Sequence, residues 1–134
     1  MIARRLIWPM LLIGWSLSCQ QQAPNRSLTV TATAYNSTLA QTNAQPGVTA
    51  FGDTLLPGVK AIAVSRDLLD SGLTYGTEVR IDSLPGTYRV MDKMNRRWRR
   101  KIDIYMGMDE AAARDWGKRR VIIHWRASDS TTQQ

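Results

Sequence analysis

Beyond residue 26 the chain alternates short apolar, β-branched runs with turn signals, a pattern that predicts strands of five to eight residues. The first run, Leu28-Thr29-Val30-Thr31-Ala32-Thr33-Ala34-Tyr35, is rich in β-branched residues and alternates weakly. A polar segment over 36–58, punctuated by Pro46-Gly47 and Pro57-Gly58, reads as loop. Further strands are predicted at 59–65, 77–81, 87–91, 101–105 and 120–125. One segment is helical by its capping chemistry. Asp109 stands at the N-cap, Glu110 lies in the first turn, Ala111-Ala112-Ala113 favours helix, and Gly117 stops it. Residues 66–69 can form a second, shorter helix. Six short strands with one or two short helices predict a mostly β domain, and closure into a barrel would remove the edges such strands otherwise expose. Periodicity carries no information on strand order.

The first twenty residues break this pattern. Arg4 and Arg5 precede a ten-residue apolar stretch from Leu6 to Trp15. That is short of the ~20 residues a helix needs to cross a bilayer, and suits the core of a signal peptide over 1–18. The following Ser16-Leu17-Ser18-Cys19 resembles a lipobox, where bacterial lipoproteins are diacylated on the cysteine that becomes the mature N-terminus. Leu17 stands one position later than in the commonest pattern. Cys19 is the chain's one cysteine, which excludes an internal disulfide and any Cys-based metal cluster. A lone free thiol would be a liability in an oxidising compartment, so lipidation of Cys19 also explains its presence. Residues 19–26, polar and containing Pro24, read as a tether. Gln20 is not the aspartate that often retains lipoproteins at the inner membrane, so the expected place is the outer membrane, facing the periplasm. The polar residues 127–134 read as a disordered tail. What remains, 27–126, is about 100 residues and one domain.

Composition changes the picture mainly through charge. Apolar residues at 43% and charged residues at 22% are ordinary for a globular protein. Eighteen Lys and Arg against eleven Asp and Glu give +7, and removing residues 1–18 would take away only Arg4 and Arg5. Such a balance can suit nucleic acid, but an exported protein rarely meets one. Anionic envelope polymers are the expected electrostatic partners. The single His124, between Ile123 and Trp125 on the last predicted strand, removes the usual zinc arrangements and reads as structural.

Two carboxylates carry the candidate chemistry. Asp92 ends the run Tyr88-Arg89-Val90-Met91-Asp92, and Asp103 lies within Ile102-Asp103-Ile104-Tyr105. A carboxylate between two isoleucines on a strand points away from them. If that face is a groove, burial raises its pKa, as a general acid requires. Between the two lies Lys93-Met94-Asn95-Arg96-Arg97-Trp98-Arg99-Arg100-Lys101, a basic loop with one aromatic. Its arginines suit an anionic polymer and Trp98 suits stacking on a sugar ring. Its cations would also oppose a raised carboxylate pKa.

Taken together and in order, several segments resemble the three-aspartate (3D) domain of the membrane-bound lytic transglycosylase A family. They are Ala32-Thr33-Ala34-Tyr35, Thr49-Ala50-Phe51-Gly52, Leu56-Pro57-Gly58, Ala61-Ile62-Ala63-Val64-Ser65, Gly76-Thr77-Glu78-Val79, Val90-Met91-Asp92, Ile102-Asp103-Ile104-Tyr105 and Trp116-Gly117-Lys118-Arg119. The eleven-residue spacing of Asp92 and Asp103 matches the family's second and third aspartates. The resemblance implies a six-stranded double-psi β-barrel, similar to expansins, with an active groove across one face. It implies peptidoglycan glycan strands as the substrate of a monomer that needs no metal or organic cofactor. Asp103 would be the catalytic acid and base, and Asp92 its supporting carboxylate. Tyr35, Thr49, Trp98, Arg96 and Arg97 are the expected substrate-binding residues.

Cleavage would fall between N-acetylmuramic acid and N-acetylglucosamine, leaving a 1,6-anhydro sugar. Two other readings remain: hydrolysis by the Asp92 and Asp103 pair, and a non-catalytic module that binds cell-wall glycan. The chain departs from the family pattern at two places. Ser65 stands where the family's first aspartate follows Ala-Val, the nearest acid being Asp67. Lys93-Met94-Asn95 replaces the Gly-Gly after the second aspartate.

Overall fold

Strand alternation decides which side chains face inward, and a computed structural model shows the result for residues 25–37 and 48–127, together with Gly14. The expected signal peptide, Cys19 with most of its tether, and the tail from 128 onward lie outside the described residues. The elements are β1 (Asn25–Tyr35), β2 (Ala61–Val64), α1 (Arg66–Leu69), β3 (Glu78–Ile81), β4 (Tyr88–Lys93), β5 (Lys101–Tyr105), α2 (Glu110–Trp116) and β6 (Arg119–Arg126). All six predicted strands and both helices form. Asn25 and Arg26, expected in the tether, instead begin β1 and pair with Arg126 and Trp125.

The strands close in the order β1-β5-β2-β4-β3-β6. The β1–β5 and β2–β4 pairs are parallel and the other four are antiparallel. This mixed, closed six-stranded β-barrel leaves no strand edge unpaired around its circumference. Closure depends on the length of β1. Its first part, from Asn25 to Ala32, pairs with β6, and its last part, from Thr31 to Tyr35, pairs with β5.

The interior is filled by the alternate residues of every strand, among them Val30, Ile62, Val64, Val79, Ile81, Val90, Ile102, Ile104, Val121 and Ile123. Each such burial contributes about 1.5–3 kcal/mol before conformational entropy is counted. Helix α2 packs on β1 and inserts Trp116, whose indole N–H donates to the Ala32 carbonyl at 3.2 Å. Its ends follow the sequence signals. The Asp109 carboxylate accepts from Ala112 N–H at 2.9 Å, and Gly117 takes φ 63° while its N–H reaches Ala113 O. A second, smaller cluster of Leu55, Ala61 and Tyr105, with Tyr35 and Met91 against it, lies where the 48–60 loop folds over the barrel wall.

Candidate active site

The register of three strand pairs builds the site. On β5, Asp103 pairs with Thr33 of β1 on one side and with Ala63 of β2 on the other. Ala63 in turn pairs with Asp92 of β4. Directly paired residues project from the same face, so Thr33, Asp103, Ala63 and Asp92 form one row across four strands, opposite the core-facing Ile102 and Ile104. The two carboxylates stand two strand spacings apart, roughly 10 Å between backbones. Ala63, with only a methyl group, leaves the floor between them low.

Asp92 reaches this row through an irregularity. Ile62 pairs with Val90 but Ala63 pairs with Asp92, so Met91 is an extra residue in β4. Without that shift, strict alternation would leave Met91 beside Ala63 and turn Asp92 to the other face.

The cleft over this row has a volume of about 240 Å³ and is lined by Tyr35, Ala63, Asp92, Lys93, Met94, Asn95, Trp98 and Asp103. Burial pushes the Asp103 carboxyl above the usual carboxylate range. The Thr33 hydroxyl, donating to Oδ1 at 3.0 Å, and Lys101 oppose that rise without cancelling it, while Asp92 adds to it. Burial raises Asp92 as well, against the Ala50 and Lys93 N–H groups that donate to its Oδ1 at 2.7 and 2.8 Å and against the Lys93 charge. The anticipated opposition from the basic loop is therefore real but comes from its two terminal lysines, and desolvation outweighs it. No hydrogen bond joins the two aspartates, so each carboxyl has its own environment.

The other expected binding residues divide. Tyr35 and Trp98 line the cleft. Thr49 does not: it is buried, and its hydroxyl accepts from Phe51 and Asp53 N–H, shaping the turn that aims Ala50 N–H at Asp92. Arg96 and Arg97 are exposed on the rim. Arg97 lies over the Trp98 ring at 4.9 Å, and Lys101 Nζ sits 3.6 Å from the ring centroid. Trp98 thus carries cations over the ring that was expected to meet a sugar.

Ser65, just past the end of β2 at the N-cap of α1, is fully buried, and its hydroxyl accepts Lys101 N–H at 3.0 Å. Asp67 accepts from Arg100 N–H at 3.0 Å, which supports the left-handed φ of 48° at Arg100. Burial would raise Asp67, but hydrogen bonds from Ser65 and Arg100 and the Arg99 charge hold it below the usual range. It is the opposite of a proton donor. His124 lies outside the cleft, with Nε2 2.9 Å from Asp82, beside a wider depression of about 620 Å³ on the β3–β6 side.

Sequence reasoning singled out neither Thr33 nor Ala63. Period-two alternation puts Thr33 on the face of Thr31 and Tyr35, but only the β1–β5 register sets it against Asp103. Ala50 contributes a backbone group, which no side-chain pattern announces.

The fold and cleft together define a small closed β-barrel domain with two carboxylates and a lysine lining a groove on its wall. No protein-family model matches the chain, and no curated protein matches it. Among solved structures, a mutant expansin from Clavibacter michiganensis in complex with cellohexaose superposes with a TM-score of 0.44 at 16% identity, covering 81% of this chain and 54% of that one. The apo expansin from the same organism gives a TM-score of 0.42 at 18% identity, with 81% and 53% covered. The chain thus spans about half the length of these expansins.

Proposed function

We propose that the domain cleaves peptidoglycan glycan strands as a lytic transglycosylase, with Asp103 as the acid and then the base. The observation that supports this most is a carboxyl raised by burial, hydrogen-bonded by Thr33, at the floor of an open cleft with a second raised carboxyl in the same row. The resemblance of the matched segments to the 3D domain supplies the polymer.

Protonated Asp103 gives its proton to the glycosidic oxygen between N-acetylmuramic acid and N-acetylglucosamine, and the bond to the anomeric carbon breaks. The resulting Asp103 carboxylate takes the proton of the muramic 6-hydroxyl, whose oxygen bonds to that carbon. The proton returns to Asp103 and no water is consumed. An intramolecular nucleophile needs positioning more than activation. Asp92, fixed by two backbone N–H groups, would support the positive charge that develops on the ring.

Dye-labelled sacculi test this: soluble dye released by the purified protein supports cleavage. A second reading is favoured by Ser65 and by the cations over Trp98: the cleft binds glycan without cutting it. Protein that pellets with sacculi and releases no dye would establish that reading instead.

The rim arginines should act in either case. Replacing Arg96, Arg97, Arg99 and Arg100 with Gln is expected to weaken sedimentation with sacculi several-fold at low salt, the difference closing as salt rises. Equal binding at both salt concentrations would make the loop a merely solvated rim. We further propose that diacylated Cys19 holds the chain on the outer membrane, facing the periplasm, on the strength of Ser16-Leu17-Ser18-Cys19. Cys19→Ser should then leave membrane fractions and carry no lipid mass on its N-terminal peptide. A variant that still sediments after carbonate washing, beside a wild type without lipid, would refute the anchor.

A further inference from the structure

Among the described residues, three aromatic side chains are exposed: Phe51, Tyr75 and Trp98. Two of them already carry cations. Lys93 Nζ lies 5.1 Å from the Phe51 centroid, and Arg97 and Lys101 lie over Trp98. Tyr75 is the most exposed of the three, at 51%, and no cation lies over its ring among the described residues.

That ring is held in place. Its centroid is 5.2 Å from that of Phe51, at an interplanar angle of 57°. A hydrogen bond to the Asp53 carboxylate raises its phenol above the usual value, so the hydroxyl keeps its proton at neutral pH. Next along the chain, Gly76 N–H donates to Val90 O at 2.7 Å, which ties the turn to β4 two residues before Asp92. A side chain fixed in this way loses little entropy when something binds on it.

The aromatic pair is also continuous with the cleft. Phe51 follows Ala50, whose N–H donates to Asp92, and Lys93, which lines the cleft, follows Asp92. A polymer strand leaving the cleft over Lys93 therefore runs toward Phe51 and Tyr75. Apolar surface left open beside a groove is a mark of a binding surface.

We propose that Tyr75, buttressed by Phe51, is an outlying sugar subsite whose ring stacks on the C–H face of a pyranose further along the strand than the sugar beside Asp92 and Asp103. This rests on the reading of the cleft as a glycan site. A pyranose has an apolar face and a polar rim, and tyrosine an apolar ring and a polar tip, so the two match in shape and chemistry. Tyr75 touches no reacting atom, so it holds the strand and takes no part in the chemistry.

Tyr75→Leu, Tyr75→Phe and Tyr75→Trp test this through sedimentation with purified sacculi, dye release as sacculi are titrated, and melting temperature. Leucine keeps an apolar contact with Phe51 but has no flat ring, so affinity should fall about three- to tenfold. Phenylalanine and tryptophan keep a ring and should bind as the wild type does. In dye release the leucine loss should appear in KM, with kcat unchanged. The melting temperature should move little, because the position is half exposed.

Unchanged affinity in Tyr75→Leu would overturn the proposal. So would an equal loss in all three variants, or a lower kcat together with a lower melting temperature, since either would make Tyr75 a prop for the 48–60 loop. A wild type that neither pellets with sacculi nor releases dye would instead defeat the glycan reading, and this proposal with it.

Discussion

Asp103→Asn is expected to end product release while making the protein more stable at neutral pH. The amide keeps the size of the carboxyl and can still accept from Thr33, but it cannot cycle a proton. Losing a general acid and base removes about 10²–10⁴ in rate, so release should fall at least about 100-fold.

The stability effect follows from the direction of the shift. Burial holds the folded-state pKa of Asp103 above the ordinary aspartate value of 3.8. Between the ordinary and the raised value the folded protein binds more protons than the unfolded one, so stability falls as pH rises through that window. Above it, the wild type carries the full cost of an ionised, desolvated carboxylate, and the asparagine variant does not. The variant's advantage in melting temperature should therefore be largest at neutral pH and shrink as pH drops toward 3.8. In the wild type, the acid step should fade as pH rises through the raised pKa. Full activity in Asp103→Asn would remove it from the mechanism. A variant less stable than wild type at neutral pH would contradict the desolvation.

Trp116→Ala should have the largest effect on the fold. The side chain is only 6% exposed, joins α2 to β1 and donates to the buried Ala32 carbonyl. Truncation leaves a cavity and an unpaired acceptor, at a cost of about 3–5 kcal/mol. For a domain near 100 residues that corresponds to a melting temperature lower by roughly 15–30 °C. Since Ala32 precedes Thr33 on β1, the loss should also loosen the hydrogen bond to Asp103. A drop of only a few degrees would show that α2 is peripheral to the barrel.

Strands and helix caps were legible because they are local. Ile102 and Ile104 around Asp103 predict which way the carboxyl points, and Asp109 and Gly117 predict where α2 begins and ends. Barrel order was not legible, because β1 divides its pairing between β6 and β5, strands distant in sequence. The extra residue at Met91 was hidden for the same reason: only the register with β2 shows that Asp92 is carried into the row of Asp103. The resemblance points to Thr49, yet the group that reaches Asp92 is the neighbouring Ala50 N–H, which has no sequence signature. The basic loop reads as a set of charges, but its geometry separates Lys93 and Lys101, which act on the carboxyls, from exposed arginines on the rim.

The most direct test of Asp103-centred cleavage is the mass of the soluble products after purified sacculi are incubated with the protein. The predicted products are muropeptides ending in 1,6-anhydro-N-acetylmuramic acid, one water lighter than their hydrolysed counterparts, and absent with Asp103→Asn. Reducing-end products at the hydrolysed mass, or no products from a wild type that binds sacculi, would contradict it.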